Sequence, residues 1–374
     1  MGKGEFTFNL LFCYNREAET LTNKPVKLLI AASGTGGHLF PAIAIANQLK
    51  DYHIEWLGVP DRLETKLIPS QYPLHTISVE GFQQKLGIET LKVLSRLIGS
   101  ILKVRHILKE GKFQGLFTTG GYIAAPAIIA ARYLGLPVIL HESNVLPGKV
   151  TRWFSRLCNV VAVGFEEGTK YLSFEKTVYL GTPVREEFLF PQSLDLPIPE
   201  NVPVIVIVGG SQGAVAINQL VRKCIPAWVE NGAWIIHQTG ENDPNAFSLK
   251  HPQYFTLPFY HNMASLFQRA NLVISRAGAG SLTELAVTHT PSILIPYPYA
   301  ADNHQAYNAK IFSNQNAALV FTEGELTPEK LQTEVLELLQ SSEKLEKMSL
   351  GTESLAVKDS HKKLAGLVHE ILSH

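Results

Sequence analysis

The sequence has little cysteine, no excess of charge of either sign and no long apolar run. Its 374 residues include three cysteines, Cys13, Cys158 and Cys224, which lie far apart and predict neither a disulfide framework nor a zinc cluster. Basic and acidic side chains number 33 each, which argues against a chain that is basic throughout and coats nucleic acid. Because no stretch reaches the roughly 18 apolar residues of a spanning helix, the sequence predicts no transmembrane segment.

Residues 1–23 lack a periodic apolar pattern and are expected to be a poorly ordered extension. Residues 6–14 are apolar but short, and no cleavage site of the A-x-A type follows them, so no signal peptide is predicted. The few scattered cysteines favour a protein of a reducing cytoplasm.

The balanced net charge conceals an uneven distribution along the chain. Residues 24–190 carry 19 basic and 13 acidic side chains, whereas residues 191–374 carry 12 and 17. Most of the positive excess lies in residues 81–112, which have seven basic and two acidic side chains. Such an imbalance indicates an anionic partner or a membrane for one half of the chain.

Apolar runs alternate with amphipathic helical stretches in both halves, a pattern typical of parallel sheets covered on both faces. We therefore predict an α/β fold of two Rossmann-like, doubly wound parallel-sheet domains that face each other across a cleft. The N-terminal domain would span residues 24–190 and the C-terminal domain residues 204–345. An exposed, proline-rich linker at 191–203 would join them, and a helical tail would follow at 346–374. The main predicted strands are 26–32, 115–119, 137–141, 160–164, 202–208, 233–238, 271–275 and 291–297.

The first glycine-rich turn, residues 33–38, directly follows strand 26–32. Its glycines let backbone N–H groups approach a ligand, and the helix expected to open at Pro41 would favour an anion there. The dinucleotide fingerprint G-x-G-x-x-G fails because Leu39 stands where the third glycine belongs, so NAD binding is disfavoured. His38 is expected to face the crevice at the carboxyl end of the strand, which favours a ligand site over a bare turn.

Two similar turns follow strands of the C-terminal half. In the first, Ser211 stands near a predicted helix start, where it would bind a phosphate or simply cap the helix. In the second, Ser281 and Glu284 form an S-x-x-E pattern that predicts a capping box, with ribose binding by Glu284 as the alternative. Gly120 and Gly121 add a fourth glycine-rich edge in the N-terminal half. This arrangement suggests group transfer across a cleft.

Seven motifs occur in the order found in the MurG family. They are GTGGHLFPAIAIA, TTGGYIAAP, HESNVLPG, GTPVR, GGSQGA, SRAGAGSLTE and DNHQAYNA, within residues 26 to 345. The sequence thus resembles a family of GT-B glycosyltransferases that transfer N-acetylglucosamine (GlcNAc) from UDP-GlcNAc to an undecaprenyl-linked muramyl-pentapeptide in peptidoglycan synthesis. The family is inverting and metal-independent. The resemblance therefore implies no metal or cofactor, and a peripheral position at the cytoplasmic face of the membrane, without a nucleic-acid partner.

The resemblance also implies a donor site for UDP-GlcNAc. Asn144 and Gln305 would contact the sugar, whereas Glu284 would contact the ribose. The family often has a glutamine where this sequence has His304. The donor residues carried over are Thr35, Gly36, Gly37, Asn144, Arg185, Ser211, Tyr260, Ala279, Gly280, Ser281, Leu282, Thr283, Glu284 and Gln305.

His38 is the candidate general base for the acceptor hydroxyl, because histidine titrates near neutrality and no carboxylate in these motifs is better placed. The alternative is that His38 only binds phosphate or orients its loop. Two other functions stay open: a GT-B enzyme that uses a UDP-sugar on a different acceptor, and a non-catalytic sugar-nucleotide-binding protein.

Residues 81–112 form a basic amphipathic segment whose helical apolar stripe is expected to pack on the sheet, as in an ordinary covering helix. Its excess positive charge, with Phe82 and Leu86 in the preceding loop, indicates in addition a contact with an anionic membrane surface. Its apolar residues at helical spacing are Leu91, Leu94, Leu97, Ile98, Ile101, Val104 and Leu108. The candidate membrane and acceptor residues are Phe82, Lys85, Leu86, Lys92, Arg96, Lys103, Arg105, Gly120, Gly121 and Tyr122.

Overall fold

The computed structural model describes residues 25–60, 67–79, 88–172, 176–210 and 213–373, and for residues 88–93 it describes the backbone alone. Several predictions therefore lie outside the description: the extension 1–23, the side chain of Lys92, and Phe82, Lys85, Leu86 and Ser211. Within the described ranges, no helix has both the length and the apolar character needed to cross a membrane.

The N-terminal half forms a parallel sheet, as predicted. Its strands are β1 (Val26–Ala31), β2 (Tyr52–Gly58), β3 (Leu74–Thr76), β4 (Gly115–Thr118), β5 (Val138–Glu142), β6 (Val160–Val163) and β7 (Thr177–Tyr179). They pair in the order β3-β2-β1-β4-β5-β6-β7, with neighbours parallel. The described helices of this half are α1 (Gly36–Ala46), α2 (Ile88–Glu110), α3 (Ala124–Tyr133) and α4 (Lys149–Phe154).

The C-terminal half forms a second parallel sheet. Its strands are β8 (Val204–Val208), β9 (Trp234–Gln238), β10 (Tyr254–Leu257), β11 (Leu272–Ser275), β12 (Ser292–Leu294) and β13 (Ala318–Val320), in the order β10-β9-β8-β11-β12-β13. Its described helices are α5 (Val215–Glu230), α6 (Met263–Arg269), α7 (Ala279–Thr288), α8 (His304–Asn314), α9 (Pro328–Leu339), α10 (Ser342–Glu353) and α11 (Ser360–Leu372). Two doubly wound sheets confirm the predicted fold class.

Each sheet reverses its strand order at one point, between β1 and β4 and between β8 and β11. In doubly wound sheets, ligands bind at this reversal, beyond the carboxyl ends of the strands. The turns after β1 and β4 carry His38 and Gly121, and those after β8 and β11 carry Gly210 and Gly280. The topology therefore brings the four glycine-rich turns to the two ligand-binding edges.

Strand β1 shows why the strands are continuous apolar runs. Leu28 and Ile30 pack into the core on one face of the sheet, whereas Leu29 and Ala31 pack into the core on the other. The last described helix, α11, joins the first of these cores through its buried Leu364 and neighbouring residues, so this helix lies on the N-terminal sheet.

The segment 191–203 packs on the C-terminal domain, whereas it was expected to be exposed. Leu194, Leu196 and Ile198 are partly buried against the C-terminal core. Arg269 donates hydrogen bonds to three of the segment's carbonyl oxygens. The alternating leucines and isoleucine were a weak signal of this packing, hidden by the prolines around them.

Helix α2 carries apolar side chains on two faces. Val104 and Leu108 are buried against the sheet, as the stripe predicted. Leu94, Ile98 and Leu102 are each about half exposed or more, at 48%, 51% and 57%. This second face has no counterpart in an ordinary covering helix, whose outer surface is polar.

Candidate active site

Helix α1 begins at Gly36, five residues before the predicted start at Pro41, and Thr35 is its N-cap residue. Gly36 and Gly37 therefore open the first turn, where N–H groups have no partner within the helix, whereas the His38 N–H donates to the Thr35 carbonyl oxygen at 3.0 Å. This correction strengthens the expected ligand role of the turn, since free N–H groups and the helix dipole favour anions.

The imidazole of His38 is held in one tautomer by the end of strand β4. Its Nδ1 lies 2.7 Å from the carbonyl oxygen of Thr119, and a carbonyl can only accept, so Nδ1 carries the proton. The Thr119 hydroxyl donates in return to the His38 carbonyl oxygen at 2.9 Å. Nε2 of neutral His38 is thus left with its lone pair, which is the form that a general base needs.

The turn after β4 lies against this imidazole. Gly120 and Gly121 have φ of +86° and +75°, in the left-handed region that side-chain-bearing residues avoid. A Cβ on Gly121 would lie 3.7 Å from Nε2 of His38. The next residue, Tyr122, is 44% exposed. The structure therefore brings these three predicted acceptor-side residues to the candidate base.

Helix α7 begins at Ala279 with Gly278 as its N-cap residue, so the predicted capping box is wrong. Ser281 is the third helical residue, and Glu284 lies in the second turn, where it cannot cap. A Cβ on Gly280 would lie only 3.7 Å from Cα of Gly37, which places the first turns of α7 and α1 against each other across the cleft.

Glu284 pairs instead with Arg185, at 3.3 Å between Oε1 and Nη2. Arg185 also pairs with Glu187 and stacks against two rings, Phe40 of α1 at 4.4 Å and Phe188 at 4.9 Å. Burial raises the pKa of Glu284, and the Arg185 guanidinium opposes that rise. A largely buried carboxylate with an adjacent cation is suited to accept the hydroxyl groups of a ribose.

The other predicted donor residues differ in what their side chains can do. Leu282 is fully buried in the core, and the Thr283 hydroxyl donates to the Ala279 carbonyl oxygen, so neither side chain is available to a ligand. Tyr260 packs partly buried against the C-terminal core. Gln305 accepts from two backbone N–H groups through Oε1, which fixes its amide with Nε2 as the remaining donor.

Asn144 is held by Glu142, a buried carboxylate for which the sequence motifs predicted no role. Glu142 Oε1 accepts from the backbone N–H and from Nδ2 of Asn144 at 3.0 and 3.1 Å. Its Oε2 accepts from the Gly148 N–H at 3.0 Å and from the Thr151 hydroxyl at 2.7 Å. These four donors fill the acceptor capacity of a carboxylate, so Glu142 orders its loop and is a poor general base.

Asn308, buried in α8, links the two halves of the site. Its Nδ2 donates to Oδ1 of Asn144 at 3.1 Å and to the Ala277 carbonyl oxygen at 3.2 Å, and its Oδ1 accepts from the Val145 N–H at 2.9 Å. An exposed ion pair between Arg152 of α4 and an aspartate before α8 adds a second link. The cleft is thus spanned by both a buried amide and a surface ion pair.

A cavity of about 460 Å³ opens between the halves at this point. His38, Glu142 and Asn144 line it from the strand ends, and His304 lines it from α8. Nδ1 of His304 lies 2.8 Å from the Ala301 carbonyl oxygen, the same arrangement as at His38. Two imidazoles from opposite halves thus border one cavity. Within the described residues, no cluster of three or more potential metal ligands occurs.

Models of two protein families match the chain: the glycosyltransferase family 28 N-terminal domain at residues 28–163, and the family 28 C-terminal domain at residues 204–364. A Nostoc protein named UDP-N-acetylglucosamine--N-acetylmuramyl-(pentapeptide) pyrophosphoryl-undecaprenol N-acetylglucosamine transferase is 64% identical over 355 residues, which are 94% of this chain and 99% of the relative. A Synechocystis protein of the same name is 58% identical, covering 92% and 97%. The crystal structure of Acinetobacter baumannii MurG has 27% identity and a TM-score of 0.74, covering 92% of this chain and all of that one.

The chain belongs to the MurG family. It is a hexosyltransferase of GT-B fold, as the resemblance implied.

Several polar residues of this MurG-family site were not singled out from the sequence. Thr119, Glu142 and Asn308 stand within the quoted motifs, so the motifs located them without revealing their roles. Thr151 lies just beyond one of these motifs. A polar residue at the end of a predicted buried strand, as Thr119 is in strand 115–119, is the signal that could have found them, since strand ends border the ligand crevice.

Proposed function

We propose that the protein transfers GlcNAc from UDP-GlcNAc to the 4-hydroxyl of an undecaprenyl-linked muramyl-pentapeptide, with inversion and without a metal ion. The names of its relatives include this donor sugar and this acceptor. The observation that carries the mechanism is the hydrogen bond from His38 Nδ1 to the Thr119 carbonyl oxygen, because it leaves Nε2 as a proton acceptor at the reversal point of the sheet.

In this reaction the acceptor hydroxyl attacks C1 of GlcNAc while Nε2 of His38 takes its proton. The bond between C1 and the diphosphate oxygen breaks, and UDP leaves with its added negative charge. The first turn of α7 and the glycine turn after β8 offer backbone N–H groups for this charge. Glu284 would accept from the ribose, and the Nε2 group of Gln305 would donate to the sugar.

A turnover assay tests the role of His38. UDP release is measured with UDP-GlcNAc, with and without a lipid-linked muramyl acceptor. His38→Ala and His38→Gln should each lower kcat by about a hundredfold or more, since neither side chain takes up a proton. His251→Ala, at an exposed histidine of the C-terminal domain, is the matched control. A large rise in donor KM with kcat retained would reassign His38 to binding.

The two other functions raised by the sequence predict different outcomes. A transferase with another acceptor would release UDP only with that acceptor, and a non-catalytic binding protein would bind UDP-GlcNAc without turnover. The intact set of Asn144, Glu284 and Gln305 together with His38 favours the transferase.

We further propose that the second apolar face of α2 binds the cytoplasmic surface of the membrane, which would make the enzyme peripheral. Leu94, Ile98 and Leu102 supply exposed apolar area, and the exposed Arg96 and Lys103 lie on the same helix. Apolar area combined with cations is what an anionic lipid surface attracts. Arg105 is instead held over the ring of a neighbouring tyrosine at 4.9 Å.

Co-sedimentation with anionic vesicles tests this contact. Lys103→Glu and Ile98→Asp should weaken binding, and salt should weaken the electrostatic part. Lys347→Glu, at an exposed lysine of the C-terminal domain, should leave binding unchanged. Binding that is indifferent to both α2 variants would refute the proposal.

A further inference from the structure

The cavity beside His38 has an apolar wall that the transfer reaction at the strand ends does not use. The wall is built from helices and a loop: Val79, Leu97 of α2, and Val150, Trp153 and Phe154 of α4. The polar groups of the reaction stand instead at the carboxyl ends of the strands. The wall therefore needs an occupant other than the two sugars and the diphosphates.

Trp153 is the most exposed member of this wall. It is 64% exposed, although its neighbours Val150 and Thr151 on the same short helix are buried. A tryptophan left half in water beside a cavity is typical of a surface that covers an apolar ligand with one wet end.

The opposite side of the wall is continuous with the exposed face of α2. Leu97 lines the cavity, and Leu94 lies three residues before it, about one turn away on the same helix. Leu94 and Ile98 are exposed. Apolar surface thus runs from the proposed membrane face of α2 into the cavity.

The charges at the cavity fit a polyprenyl diphosphate. Arg96 and Lys149 line it beside the apolar wall. The two acidic groups that also line it are already engaged: Glu142 accepts four hydrogen bonds, and Asp302 pairs with Arg152. An anionic head next to an apolar chain would therefore find both cations and apolar contact here.

We propose that this wall holds the first isoprene units of the acceptor where its prenyl chain leaves the membrane, and that Trp153 is the side chain that seats them. The proposal rests on the proposed function, because it takes the acceptor to be a prenyl diphosphate. It assigns to Trp153 a contact with the chain and not with the bilayer.

The test uses two acceptors that dissolve without a membrane. One is the muramyl-pentapeptide diphosphate with a geranyl chain, and the other is the same diphosphate with a methyl group. The quantity measured is the ratio of kcat/KM for the geranyl acceptor to that for the methyl acceptor. Trp153→Ala should lower this ratio by about tenfold, the loss expected when roughly two methylene-sized contacts are removed. Trp153→Phe should restore part of it.

Tyr133→Ala is the matched control, because Tyr133 is another exposed aromatic residue of the N-terminal domain, at 73%, that does not line the cavity. Its ratio should equal that of the unmodified protein, and the donor KM of Trp153→Ala should be unchanged. An unchanged ratio in Trp153→Ala would overturn the proposal while leaving the transfer reaction intact. If the unmodified protein glycosylated neither acceptor, the proposed function itself would fail.

Discussion

Replacing Asn308 should weaken the whole molecule, because this one side chain joins both domains at the site. It makes three hydrogen bonds, to Asn144, Val145 and Ala277, and is fully buried. Asn308→Ala removes all three. The Val145 N–H and the Ala277 carbonyl oxygen are then buried without their partner, whereas the half-buried Asn144 can turn toward water.

The cost follows from the two buried groups that are left. Each unsatisfied buried polar group costs about 1–3 kcal/mol, so Asn308→Ala should lower the free energy of unfolding by about 2–4 kcal/mol if water enters part of the space. Asn308→Asp should be at least as damaging. Its carboxylate can still accept from the Val145 N–H, but it would oppose the oxygens of Asn144 and Ala277, to which Asn308 now donates.

Urea unfolding and donor titration measure the effect. Both variants should lower the urea concentration at the unfolding midpoint and raise the KM for UDP-GlcNAc, because Asn308 would no longer fix Asn144 relative to the C-terminal domain. Asn314→Ala, at the exposed end of the same helix, should stay within about 0.5 kcal/mol of the unmodified protein. If Asn308→Ala matched this control in both measurements, the link across the cleft would have no energetic role.

Three further predictions concern the base, the ribose contact and acid stability. Thr119→Val removes the hydroxyl that bonds to the His38 carbonyl oxygen, so it should lower kcat and shift the pH profile of kcat, and Thr119→Ser should restore both. If the kcat profile of Thr119→Val equalled that of the unmodified protein, Thr119 would not position His38. Burial raises the pKa of Glu284, and a protonated carboxyl accepts hydrogen bonds less well, so the donor KM should rise as the pH falls through that raised pKa. Glu284→Gln should show a donor KM that is independent of pH. Burial lowers the pKa of His141 to about 4 and that of His237 to about 3, so below about pH 6.5 the unfolded chain binds more protons than the folded chain. Thermal stability should therefore fall between about pH 6.5 and about pH 4, and the fall should be smaller in His237→Gln.

The sequence was sufficient to predict the parts of the site that local pattern encodes. Buried strands are apolar on both faces, so continuous apolar runs predicted most of them, and the glycine-rich turns after four of these runs marked where the chain enters a helix. Strands β3 and β13 were not predicted because their local signal is weak, whereas β4, β6 and β12, which are about as short, lie in apolar runs that were predicted as strands. The start of α7 was misplaced for a related reason, since Ala279 and Gly280 are poor signals of a helix start and the S-x-x-E pattern beyond them is a strong one.

Contacts between distant segments were beyond the reach of such patterns. Asn308 bonds to residues 163 and 164 positions away, and His38 to one 81 positions away. The local sequence indicated that His38 faces the crevice but not that it bonds to Thr119, and nothing in it distinguishes Asn308 from a solvated residue. The second apolar face of α2 was not predicted for another reason. The sequence pattern placed Leu94 and Ile98 in one helical stripe with Val104 and Leu108, and only the packing shows which of these residues stay exposed.

The engagement of Asn144 limits how it can bind the donor. Its Oδ1 accepts one hydrogen bond from Asn308, and one hydrogen of Nδ2 is donated to Glu142, so the side chain keeps one Nδ2 hydrogen and one Oδ1 lone pair for a ligand. A sugar contact at this position is therefore limited to one hydrogen bond from Nδ2 and one to Oδ1, in directions set by both domains. It follows that the contact predicted from the resemblance depends on Asn308 being in place. Loss of Asn308 should consequently reduce discrimination for GlcNAc over donors that lack the accepting oxygen, and not only overall affinity.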